Sequence, residues 1–185
     1  MKPHRIGWAS FLAISLLVLV SNAAAQKRDP LNEKEIDQMR ETADWPDKRL
    51  ELMVNFIRAR MAKIQELEAN GKTAKDRPMQ IHDLLQDVTT LLDEIDDNID
   101  MYGSHKADMR KGLTLLIEAD SEWQLQLRRL KAQSPPEELD QYSFVLANVT
   151  DAVRDMADDA RQDLQEQNEL AKEKKLTKDY SERRN

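Results

Sequence analysis

The chain has 185 residues, with 28 Lys and Arg against 35 Asp and Glu, a formal charge of -7 and no cysteine. An acidic chain is a poor match for nucleic acid, whose phosphates must be met by Lys and Arg. Without cysteine there are no disulfides, thiolate metal sites, c-type haem attachment or thiol catalysis, so the domain must be held by its apolar core.

The chain opens with "MKPHRIGWASFLAISLLVLVSNAAAQ". Lys2, His4 and Arg5 precede an apolar run from Ile6 to Val20, and Ala23 to Ala25 supply the small residues a signal peptidase needs. The pattern predicts a secretory signal peptide over 1–25, cut between Ala25 and Gln26, and a periplasmic or secreted location. The run is shorter than the roughly 20 residues that span a bilayer. Nothing later is apolar enough to span, so no transmembrane segment is expected after cleavage. Loss of Lys2 and Arg5 takes the formal charge from -7 to -9.

From Gln26 onward the punctuation is helical. Pro30, Pro46, Pro78, Pro135 and Pro136 each stand before, or in the first turn of, a periodic apolar segment, where proline is tolerated. A first helix is predicted over Asn32 to Thr42, with Asn32 and Glu35 spaced as a capping box. A second runs from Pro46 to Ala69 on Leu50, Met53, Ile57, Met61, Ile64 and Leu67, and ends at Asn70-Gly71. The third runs from Arg77 to Tyr102, its stripe taking in Ile81, Leu84, Val88, Leu91, Ile95 and Ile99, with Gly103 as its C-cap glycine. The fourth covers His105 to Ala132 on Met109, Leu113, Leu116, Trp123, Leu127 and Leu130. The fifth opens with a capping box from Ser134 to Glu137 and repeats Leu139, Tyr142, Leu146, Val149, Val153, Met156 and Ala160. Such stripes face a helical core.

Four long helices joined by short loops predict an all-α, up-down-up-down four-helix bundle with a short accessory N-terminal helix. The domain map is 26–45 for the leader and accessory helix, 46–171 for the bundle and 172–185 for a disordered charged tail. The fifth helix is long enough to overhang the bundle. Ile36 and Met39 of the first helix are expected to cover that overhang near Leu164. In this topology the third and fifth helices are diagonal, with the fourth between them.

One segment stands out chemically. From Asp83 to Asp100 there are seven acids and no Lys or Arg. Asp93, Asp97 and Asp100 share one outward face, and three carboxylates on a face are candidate ligands for Ca²⁺ or Mg²⁺. As an EF-hand loop from Asp96 the stretch fails, because Met101 and Ala107 replace the required Gly and Glu. The preferred explanation is electrostatic. Acids at a helix C-terminus and bases at an N-terminus both oppose the helix dipole. Asp96, Asp97 and Asp100 are therefore expected to be answered by Lys106, Arg110 and Lys111 in a charged band that sets helix register.

Elsewhere the chemistry is sparse. His82 and His105 lie at opposite ends of the third helix, and neither is three residues after a Glu, as a di-iron bundle requires. No G-x-S-x-G, Walker A, G-x-G-x-x-G or H-E-x-x-H occurs, so no catalytic residue, metal centre or cofactor is assigned. Trp45 and Trp123 are expected to pack in the joint and core. Gly112, inside a helix, points to a close helix approach. The "NVT" sequon at Asn148 falls in a helical pattern and is discounted.

Several stretches, "DPLNEKEIDQMRETADWPDKRLELMVNFIRARM", "IHDLLQDVTTLLDEIDDNIDMY", "LIEADSEW" and "YSFVLANVTDAV", resemble an uncharacterised family of exported bacterial all-helical proteins. That resemblance implies no activity. The expected function is a non-enzymatic, interaction or envelope-associated role, with an unknown protein partner or self-association through the fifth helix. The alternative is a binding module for divalent cations or basic peptides, using the acidic band of the third and fifth helices.

Overall fold

A computed structural model describes residues 28–69 and 76–184, with side chains to residue 174. The expected signal peptide, its Ala25/Gln26 junction and the Asn70-Gly71 turn lie outside the described residues. Five helices and no strand occur among those described: α1 (Glu33–Glu41), α2 (Pro46–Ala69), α3 (Arg77–Ser104), α4 (Arg110–Gln133) and α5 (Pro136–Arg184). No described helix is long and apolar enough to cross a membrane.

The helix starts follow local chemistry in part. The Asn32 side chain accepts from the Glu35 N–H at 3.1 Å, and the Glu35 carboxylate accepts from the Asn32 N–H at 2.9 Å. This is the reciprocal capping box. The box expected at Ser134 does not form. The Pro135 carbonyl accepts from Glu138 and Leu139, so α5 begins one residue too late for Ser134 to cap it. The Ser134 hydroxyl instead donates to the Leu130 carbonyl at 2.5 Å and receives the Tyr142 hydroxyl.

The end of α3 also departs from expectation. The Lys106 N–H bonds to the Gly103 carbonyl and the Ala107 N–H to the Tyr102 carbonyl, which is the Schellman pattern. The residue in the left-handed conformation is Lys106, at φ 56°. Gly103 lies within the last turn, so it is not the C-cap glycine.

The four long helices form a helical bundle in which α2 packs on α3 and α4, and α5 packs on the same two. The diagonal pairs are α3 with α4 and α2 with α5. This corrects the expected order, in which α3 and α5 were diagonal. Two observations explain it. At Gly112 a Cβ would meet Leu50 Cβ at 2.9 Å and Cδ1 at 2.6 Å, so α4 approaches α2 more closely than a side chain permits. The Gly112 N–H also donates to Asp47 at 2.9 Å. These contacts bring the starts of α2 and α4 together and leave the joint from His105 to Met109 to cross the bundle end.

The core is the set of stripes, with Leu50, Ile57, Ile95, Leu116, Trp123 and Val149 among its fully enclosed members. On α3, Leu85 is enclosed and Leu84 only half-buried, a one-position rotation of the expected stripe. Ala160 is the last buried residue of α5 among the described side chains, Leu164 is half-buried and Leu170 is exposed. From Ala160 to Arg184 the helix extends about 36 Å at 1.5 Å per residue. Backbone helicity thus continues past Ala171, where composition predicts an unstructured tail; Lys, Glu, Leu and Ala are good helix formers.

The accessory helix α1 packs against α2, not against the α5 overhang near Leu164. Glu35 is buried against Arg60, which also donates to the Pro30 carbonyl. Arg49 donates to the Met39 carbonyl at 2.6 Å and to Asn98 on α3 at 2.6 Å. The Tyr102 hydroxyl donates to the Ala43 carbonyl at 2.6 Å. Met39 joins the core and Ile36 is half-buried. Four polar contacts to α2 and α3 outweigh any apolar gain at the overhang.

Candidate functional site

The end of α3, the 105–109 joint, the start of α4 and the α5 overhang meet at one end of the bundle. Between the joint and α5 lies a cleft of about 660 Å³, with Ile99, Met109, Leu170 and Ala171 on its apolar side and Asp100, Asp163 and Glu166 among its acids. Gln167 fastens the cleft's base. Its side chain accepts from the Met109 N–H at 2.9 Å and donates to the Ala107 carbonyl at 3.3 Å. Met109 cannot cap α4 itself, and the orphan donors of that helix start are shared out: the Asp108 side chain takes the Arg110 N–H at 3.2 Å, Gln167 on α5 takes Met109, and Asp47 on α2 takes Gly112.

The expected charged band is not formed as drawn. Among the described residues, no ion pair joins Asp96, Asp97 or Asp100 to Lys106, Arg110 or Lys111. Although Asp100, Lys106 and Arg110 line one cleft, α3 and α4 are not in contact, and the bases do not close on α3's acids. Arg110 instead grips Asp108 through Nε at 2.8 Å and Nη2 at 2.6 Å. That guanidinium pulls the Asp108 carboxyl down to about 2.

The acids of α3 meet other acids. Burial comes first, and then the charges of Asp100, Asp159, Asp97 and Asp93, in pushing the Asp96 carboxyl above its ordinary value. The Asp163 carboxyl is raised likewise, by burial and then by Glu166, Asp159, Asp100 and Asp96. The sequence places Asp100 and Asp158 at one level along the bundle. With α3 and α5 as neighbours, that level becomes a seam of like charge.

The remaining candidates separate. Asp93, Asp97 and Asp100 lie exposed along α3. Among the described residues no three His, Asp or Glu side chains come together so as to hold a metal ion. His82 sits 3.4 Å from Asp83 near the start of α3, and His105 lies beyond its other end. Trp45 does not plug the bundle. It is 58% exposed, with the Lys48 ammonium 4.7 Å from its ring centre. Trp123 is fully buried, and its indole N–H has no hydrogen-bond partner among the described residues.

Sequence reasoning missed Gln167, Asp47 and the left-handed Lys106. The available signal was negative. Met109 has no capping side chain and its neighbour Asp108 reaches only the Arg110 N–H, so further caps had to come from other helices. No family model matches the chain, and neither a curated protein nor a solved structure matches it, so the resemblance to exported helical proteins carries no further weight.

Proposed function

We propose that the chain is exported and acts, without catalysis, as a helical-bundle protein in an interaction or envelope-associated structural role. In this reading α2 to α5 make an up-down-up-down four-helix bundle with α1 as its accessory helix. One observation carries the reading. Each buried charged side chain of the described residues is committed to an ion pair distant in sequence: Glu35 to Arg60, Arg77 to Glu138, Asp87 to Arg28 and Asp120 to Arg161. A catalytic acid or base would be a buried group left available to substrate. The test is to follow the chain in its own cells and crosslink it there. The expected result is a form beginning at Gln26 outside the cytoplasm, with discrete crosslinked partners. Retention of the full-length chain inside, or turnover of a substrate lost on replacing a carboxylate, overturns the reading.

A second reading is favoured by the seam between α3 and α5: the acids there make a binding module for divalent cations or basic peptides. Like charges held together without internal counter-charge favour an incoming cation. Calorimetry with Ca²⁺, Mg²⁺ or a basic peptide tests it, and no heat at sub-millimolar ligand removes it.

A further inference from the structure

We propose that the cleft between the 105–109 joint and α5 is a docking groove for a basic peptide segment of a partner protein. The segment lays one apolar side chain against Leu170 and Ile99 and its lysines or arginines against Asp100, Asp163 and Glu166. This rests on the second reading above and names its occupant and its place.

Three features of the cleft support that choice. First, it has the volume of a ligand site, about 660 Å³, within the range of about 300–1,000 Å³ typical of such clefts. Second, its wall contains an apolar group with no internal use. Leu170 is 45% exposed at the cleft, on the stretch of α5 beyond the buried Ala160. An apolar side chain laid there loses water on both sides. Third, the charges are unequal in availability. Arg110 at the rim is already neutralised by Asp108, and the remaining bases of the lining are Lys106 and Lys174. Asp100, Asp163 and Glu166 form no ion pair among the described residues, and Asp96 and Asp159 add to the same field. Asp100, Asp163 and Glu166, with Asp96 and Asp159 behind them, outweigh Lys106 and Lys174, so the excess charge at the α3–α5 wall is negative and complementarity selects a cationic occupant. A bare metal ion uses the acids and leaves Leu170 idle. A peptide carrying both a cation and an apolar side chain uses both.

The experiment is calorimetry on the full mature chain with three 12-residue probes: a Lys/Leu amphipathic peptide, oligolysine, and a Glu/Leu peptide. Two variants keep the fold intact, because Leu170 is exposed and Asp163 is held among like charges. These are Leu170→Gln and Asp163→Asn. The expected result is that the Lys/Leu probe binds, that each variant weakens it about tenfold, and that oligolysine responds to Asp163→Asn but not to Leu170→Gln. Equal binding of Lys/Leu and oligolysine, both indifferent to Leu170→Gln, overturns the groove while leaving the acidic seam as a cation site. No binding of any cationic probe overturns both. Binding of the Glu/Leu probe as tightly as the Lys/Leu probe overturns the charge argument. Binding to anionic vesicles that excludes the peptide makes the surface a membrane contact and overturns it too.

Discussion

Two residues test how far local rules govern this chain. Lys106 occupies a left-handed position at φ 56° that costs an L-residue roughly 1–2 kcal/mol. Lys106→Gly is expected to raise stability by about 1 kcal/mol in denaturant unfolding, whereas Lys106→Ala gives no such gain. Equal effects of the two would show that side-chain charge, not backbone conformation, decides. Gly112 makes the opposite case. Helix propensity alone favours Gly112→Ala by about 1 kcal/mol. A Cβ 2.9 Å from Leu50 Cβ is blocked by an atom bonded directly to the backbone and not only by a flexible tip, and overpacking costs about 1–3 kcal/mol. Gly112→Ala is therefore expected to lower Tm by a few degrees; a rise would mean that α2 and α4 can part without penalty. The sequence marks Gly112 as anomalous inside a helical stripe, so a close approach can be read from it. It does not mark Lys106, because a nearby Gly103 satisfies the usual pattern and only the hydrogen bonds reveal which residue turns.

At the scale of elements, helix existence and extent are written in periodicity, proline placement and caps, and α1 to α3 fall close to their expected limits, whereas α4 begins at Arg110 and not at His105, the intervening residues forming the joint. Which helices touch is not written there. Short loops require consecutive helices to reverse direction, yet they are equally satisfied by an edge or a diagonal crossing. The choice is made by side chains far apart in sequence, such as Leu50 with Gly112 and Asp47 with the same residue. The placement of α1 is decided the same way. Arg60 and Arg49 read as ordinary polar positions on α2, and their partners Glu35, Asn98 and the Met39 carbonyl appear only in three dimensions. Replacing Glu35 with Gln removes the charge that Arg60 grips, at a cost of about 2 kcal/mol for a charged hydrogen bond. Amide exchange of residues 33–41 should accelerate while that of α4 is unchanged. Uniform acceleration would show that α1 is part of the global core. The Arg60 hydrogen bond, against the opposing effect of burial, holds the Glu35 carboxyl below 4.5. Its stabilisation is therefore present above about that pH and lost as pH falls through the depressed folded value.

For the whole molecule, charge is the property with the longest reach. The acids that looked like a site in the sequence do converge, but with α5 as the partner helix, not α4. Their level along the bundle follows from the helix rise. Their neighbour depends on the crossing order and could not be inferred. The contact between α3 and α5 brings Asp96 and Asp100 toward Asp159 and Asp163, and such a seam opposes folding. Asp163→Asn should then raise Tm at pH 7 and low salt, because it removes one of the like charges without changing the side-chain shape. The pH dependence has a definite sign. Burial and like charge raise the Asp163 carboxyl above 3.8 in the folded chain, so the folded state carries a penalty at every pH above that raised value. The penalty shrinks as pH falls through it and is absent below 3.8, where folded and unfolded chains are both protonated. The advantage of Asp163→Asn over the native chain should accordingly fade as pH falls from neutrality toward 4. It should shrink at neutral pH when salt is raised, since half-exposed charges are screened. An advantage that is constant across both titrations would place the effect in side-chain packing. A lower Tm for Asp163→Asn at pH 7 would mean that the carboxylate is stabilised by a counter-charge, and that the seam is not the unmet negative surface on which a basic partner depends.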